Sequence, residues 1–158
     1  MSIPGPTALF LAWATHDLEE IVAFPSTSRR LARITGSPAL EMGVRESVVA
    51  VGGMAVVVGT ACLRGARSKG ASPAYRAVVA GLEAHIATHL MASLCLRAYT
   101  AGVLTAVPIM GLGVQAAKRD LAHRGVTLEP GDYRRGAALL IPAALICQGA
   151  ARLTRFFR

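Results

Sequence analysis

Charged residues are scarce in this 158-residue chain: Asp, Glu, Lys and Arg together make up 16% of it, against about a quarter in a typical soluble domain. So few polar side chains cannot cover the surface of a fold this small, which excludes an ordinary soluble domain. Aromatic residues are also few, at 5%. That leaves little for base stacking, and nucleic-acid binding is excluded despite a net charge of +8 and a pI near 10.5. The three cysteines, Cys62, Cys95 and Cys147, show no CxxC spacing. They offer neither a disulfide framework nor a zinc-finger pattern and read as buried small hydrophobes. The N-terminus lacks a basic region, so no secretory signal is expected there.

What the chain has in excess is apolar length. Hydrophobic residues make up 53% and the mean hydropathy is +0.48, which also excludes disorder. Five apolar segments, rich in Ala, Leu and Val, have helical length. They run from about Pro6 to Phe24, Ser47 to Leu63, Tyr75 to Tyr99, Ala101 to Ala117 and Gly136 to Ala151. Pro25 is expected to end the first. The fold expected is an all-α integral membrane bundle of about five transmembrane helices, with residues 1–158 forming one domain. Basic residues fall between the segments, where they meet lipid headgroups. With five spans, eight lie on one side and nine on the other, so the positive-inside count gives no orientation.

The polar residues inside the apolar segments carry the chemistry. His16, Asp17, Glu19 and Glu20 lie in the first, and Glu83, His85 and His89 in the third. A charged side chain at a helix centre costs about 2.5–3.5 kcal/mol on insertion scales, so such groups are expected to face the bundle interior with partners. Helical geometry places His16, Glu19 and Glu20 within about 100° of one another, and stacks His85 on His89 one turn apart. Glu83 projects away from that pair. The resulting H-x-x-E-E and H-x-x-x-H faces form a ligand set suited to a divalent zinc, iron or manganese ion. The candidate ligands are His16, Glu19, Glu20, His85 and His89. Asp17 is read as a hydrogen-bond acceptor orienting a ligand, and His123 as an exposed loop residue. A metal-free cluster, with the carboxylates paired to protonated histidine or to Arg97, is the alternative.

The segment His16-Asp17-Leu18-Glu19-Glu20, followed by Phe24 and Pro25, resembles the signature of the HXXEE-domain family of small bacterial multi-span membrane proteins. In that family an N-x-x-x-H motif follows. Here His85 stands at the Asn position and His89 at the family's His, and Tyr99, Gly102 and Thr105 match a later stretch. The resemblance covers about Thr15 to Thr105. It implies a shared site on the first, third and fourth helices and a bacterial inner (cytoplasmic) membrane, but supplies no reaction.

The function expected is a metal-dependent membrane enzyme whose lipophilic small-molecule substrate arrives from the surrounding membrane lipids. Glu19, Glu20, His16, Tyr99 and Thr105 are its candidate catalytic residues. Hydrolysis, oxidation and isomerisation are not distinguished. Two alternatives stand beside it. One is a metal-free acid–base isomerase or cyclase using Glu19 or Glu20 with His16. The other is a metal-ion or proton carrier, for which a homodimer would supply further helices.

Overall fold

A computed structural model describes residues 3–157, and the regular elements among them are all helices, without strands. Arg158, counted in the basic set of eight, lies outside them, as do Met1 and Ser2. The helices are α1 (Gly5–Thr35), α2 (Val44–Arg67), α3 (Pro73–Leu96), α4 (Val103–Thr105), α5 (Gly111–His123) and α6 (Pro130–Leu153). A π turn, Ala106–Met110, joins α4 to α5, so the two make one rod and the bundle has five. Single 3-10 turns lie at Pro38–Leu40 and Thr154–Phe157.

Local chemistry explains most boundaries. Prolines open α3 and α6 at the first turn, where a missing N–H removes no bond. The Ser72 hydroxyl accepts from the Tyr75 amide to cap α3. Glu129 and Asp132 make a capping box for α6. Gly36, with φ +66°, ends α1 in the left-handed conformation, and its amide bonds back to Ala32.

The end of α1 differs from expectation. Pro25 lies inside the helix, which continues for ten further residues to Thr35. Proline cannot donate to the Ile21 carbonyl, but the buried Ser28 beyond it ties the extension down. The Ser28 hydroxyl donates to the Pro25 carbonyl and accepts from the Met42 amide. Tertiary anchoring thus outweighs the helix-breaking tendency. The fourth and fifth segments are also longer than expected: α5 runs on to His123, and α6 starts at Pro130.

Successive rods run antiparallel. Gly59 of α2 lies beside Phe10 of α1, Gly53 of α2 beside Cys147 of α6, and Gly113 of α5 beside Ala12 of α1. Gly136 of α6 sits against the backbone of Ala77 and Gly81 of α3, allowing those two helices to touch main chain to main chain. The core is continuous through α1, α2, α3 and α5, built from Leu9, Trp13, Val58, Tyr75, Val78, Val79, Met110, Val114 and Leu121.

Three helices are long and apolar enough to cross a membrane: Val44–Arg67, Pro73–Leu96 and the stretch Pro130–Phe156. The first rod has the length, but its apolar stretch is interrupted by Asp17, Glu19 and Glu20. The fourth is divided by its π turn. Of the cysteines, Cys62 is buried, Cys147 half-buried and Cys95 exposed, so the expectation of three buried cysteines fails at Cys95.

Candidate metal centre

Four candidate ligands converge. His16 and Glu20 come from adjoining turns of α1, His85 and His89 from adjoining turns of α3, and one ligand atom from each lies within 4.8 Å of the others. The imidazole Nε2 atoms of His16 and His89 are 3.1 Å apart, and those of His89 and His85 are 3.0 Å apart. A Glu20 carboxylate oxygen stands 3.4 Å from His89 Nε2 and 4.0 Å from His16 Nε2. His16 is fully buried and His89 nearly so.

The outer partners determine which ring nitrogens carry protons. The Thr105 hydroxyl donates its only proton to Glu19 at 2.6 Å, so at 2.9 Å from His16 Nδ1 it must accept. His89 Nδ1 lies 2.9 Å from the Ala101 carbonyl, which can only accept. The Thr88 hydroxyl donates to the His85 carbonyl at 2.7 Å and therefore accepts from His85 Nδ1 at 3.0 Å. All three neutral rings thus carry hydrogen on Nδ1 and present a bare Nε2 lone pair to the cluster. Three lone pairs and a carboxylate oxygen facing one another repel unless a cation lies among them. Ligand bonds near 2.0–2.1 Å in a tetrahedral zinc site would set nitrogens about 3.3 Å apart. The observed nitrogen contacts are close to that spacing, so the residues fit a metal ion.

Glu19 lies outside this group, with its carboxylate engaged elsewhere. It accepts from the Thr105 hydroxyl and amide, from the Leu104 amide and, at 2.6 Å, from the Tyr99 phenol. One rotation step along α1 separates the two roles: Glu20 faces α3, while Glu19 faces the 97–105 segment. Tyr99 lies outside the helices and is half-exposed; burial, and next the Glu19 carboxylate, push its phenol up to about 12. Tyr99 therefore keeps its proton and donates it.

Gly102 closes the site. With φ +85° it takes a left-handed conformation, and any Cβ there would lie 2.5 Å from His89 Cε1 and 2.7 Å from His16 Cε1. The backbone turn thus rests directly on the two rings. Sequence reasoning did not find the Ala101 carbonyl, which has no side-chain signature. It also missed Thr88, although its spacing of three from His85 was a readable signal.

The remaining candidates fall elsewhere. Asp17 is buried and receives no hydrogen bond or ion pair among the described residues. Glu83 pairs with Lys118 at 2.6 Å and accepts from Tyr133 at 2.6 Å, away from the cluster. His123 is exposed at the end of α5.

A family model described as a protein of unknown function with HXXEE motif matches residues 7–113. No curated protein and no solved structure matches the chain.

Proposed function

The chain belongs to the HXXEE-motif family, and for this member we propose a membrane-embedded, metal-dependent enzyme acting on a lipophilic substrate. A single divalent ion, zinc, iron or manganese, would be held by His16, Glu20, His85 and His89. The observation that carries the reading is the cluster of three imidazole Nε2 atoms beside the Glu20 carboxylate, all four ligand atoms within 4.8 Å of one another. Such an ion supplies Lewis acidity, which polarises a substrate oxygen or activates water.

The protein's own residues hold the arrangement rigid. Thr105, oriented by Glu19, fixes the His16 ring, and the Ala101 carbonyl fixes His89. Tyr99, protonated and partly exposed, spends its proton on Glu19 and so holds that carboxylate in place. Support for a lipophilic substrate comes from depth: His85 and His89 sit in the body of a helix apolar enough to span a bilayer. Glu20 also borders a small cavity of about 40 Å³ lined by Phe24, Met42, Ser47, Ala50, Val51 and Gln148. That cavity lies between α1, α2 and α6.

Elemental analysis of the detergent-purified protein tests the reading. Near one equivalent of metal is expected, lost in His89→Ala and in Glu20→Ala. Protein that is metal-free after supplementation with zinc, iron and manganese would overturn the metal centre and favour acid–base chemistry by Glu19 or Glu20 with His16. Metal flux in proteoliposomes, abolished by Glu20→Gln, would instead assign a carrier.

A further inference from the structure

A second polar feature lies where α5 ends and α6 begins, lined by none of the residues of the His/Glu cluster. A cavity of about 380 Å³ opens between the end of α5, the 124–129 loop and the start of α6. One part of its wall is apolar, formed by Leu121, Val126 and Leu128; the other presents Lys118, Arg119, Thr127 and Tyr133. The polar groups are almost all hydrogen-bond donors. Glu83, the carboxylate beside them, is already engaged by the Lys118 ammonium and the Tyr133 phenol. No hydrogen bond or ion pair engages the Arg119 guanidinium or the Thr127 hydroxyl among the described residues, and Arg119 is exposed. With Lys118 neutralised by Glu83, Arg119 leaves the cavity with a net positive charge.

Unspent donors and one unneutralised cation fit an acceptor-rich anion, and the adjoining apolar wall fits hydrocarbon. The position agrees, because this end of the bundle also carries Arg64, Arg67, Lys69, Arg76, Arg124, Arg134 and Arg135. Basic residues at helix ends occupy the headgroup level of a bilayer. We propose that this cavity binds one anionic phospholipid, its phosphate at Arg119, Lys118 and Thr127 and its acyl chains along the partly exposed Val126 and Leu128. The site is separate from the His/Glu cluster and does not depend on its metal.

Native mass spectrometry of the full chain, released from detergent containing either phosphatidylglycerol or phosphatidylcholine, tests the proposal. One retained phosphatidylglycerol is expected, favoured over phosphatidylcholine by about fivefold, the effect of one basic side chain on an anionic lipid. Arg119→Gln, a change at an exposed position, should abolish that preference. Arg29→Gln removes the same charge at the other end of the bundle and should preserve it, as should His89→Ala. Equal retention of the two lipids would overturn the site, and so would equal losses in Arg119→Gln and Arg29→Gln. Displacement of the lipid by inorganic phosphate alone would assign a free-anion site and refute the phospholipid.

Discussion

Replacing Gly102 by alanine separates backbone strain from crowding at the His/Glu cluster. Two costs are expected. The left-handed conformation at φ +85° costs a residue with a Cβ about 1–2 kcal/mol. The new methyl carbon would also lie 2.5 Å from His89 Cε1, 2.7 Å from His16 Cε1 and 2.8 Å from His89 Nδ1, far inside van der Waals contact. Overpacking of this kind costs about 1–3 kcal/mol, and the rings can relieve it only by moving from their present positions. Gly36 supplies the control, because its φ is +66° and nothing lies within 4 Å of an added Cβ. Gly36→Ala therefore pays only for the backbone. Both variants would be melted with and without added zinc and assayed for bound metal. Gly36→Ala should lose about 1–2 kcal/mol and keep its metal. Gly102→Ala should lose about 2–5 kcal/mol and bind metal at least tenfold more weakly, as expected when support around a ligand is disturbed. Equal destabilisation of the two variants, with metal affinity intact in Gly102→Ala, would refute the close packing of this turn on the imidazoles.

Thr105→Val removes the hydroxyl that accepts from His16 and donates to Glu19; metal affinity should fall about 10–100-fold, and Thr105→Ser should restore it in a metal titration. Tyr99 holds its proton more tightly folded, at about 12, than at its ordinary value of 10.0. Its contribution is therefore complete below pH 10 and lost as pH rises through about 12, so thermal melts should fall more steeply over that range in the wild type than in Tyr99→Phe. Gly136→Ala drives a methyl group into the Ala77 carbonyl and the Gly81 backbone. It should destabilise the bundle by about 3 kcal/mol, whereas Gly149→Ala, in the same helix with open space around it, should be neutral or stabilising in the same melt.

Much of the site could be read from spacing. A separation of four places His16 with Glu20, and His85 with His89, on single faces, and the cost of burying such groups implies that the faces meet. The difference between Glu19 and Glu20 could not be read this way, since both lie near His16 on the helix. It depends on what stands opposite: α3 for Glu20, and the 97–105 segment for Glu19. Pro25 misled for a related reason. A local helix-breaking preference was legible, but the Ser28 contacts with Met42 that carry α1 past it join residues fourteen apart.

Composition and periodicity alone determined an all-helical chain with apolar rods and a few polar residues too costly to leave in lipid. Those are local and additive properties, set by each segment's own residues. Tertiary structure decided the rest: which nitrogens face inward, that Ala101 and Thr105 hold the rings, and that Gly102 closes over them. It also decided that the Arg119 side chain borders a cavity rather than a flat surface. Each depends on chain segments far apart in sequence, where direction and distance are set by packing rather than by helical period.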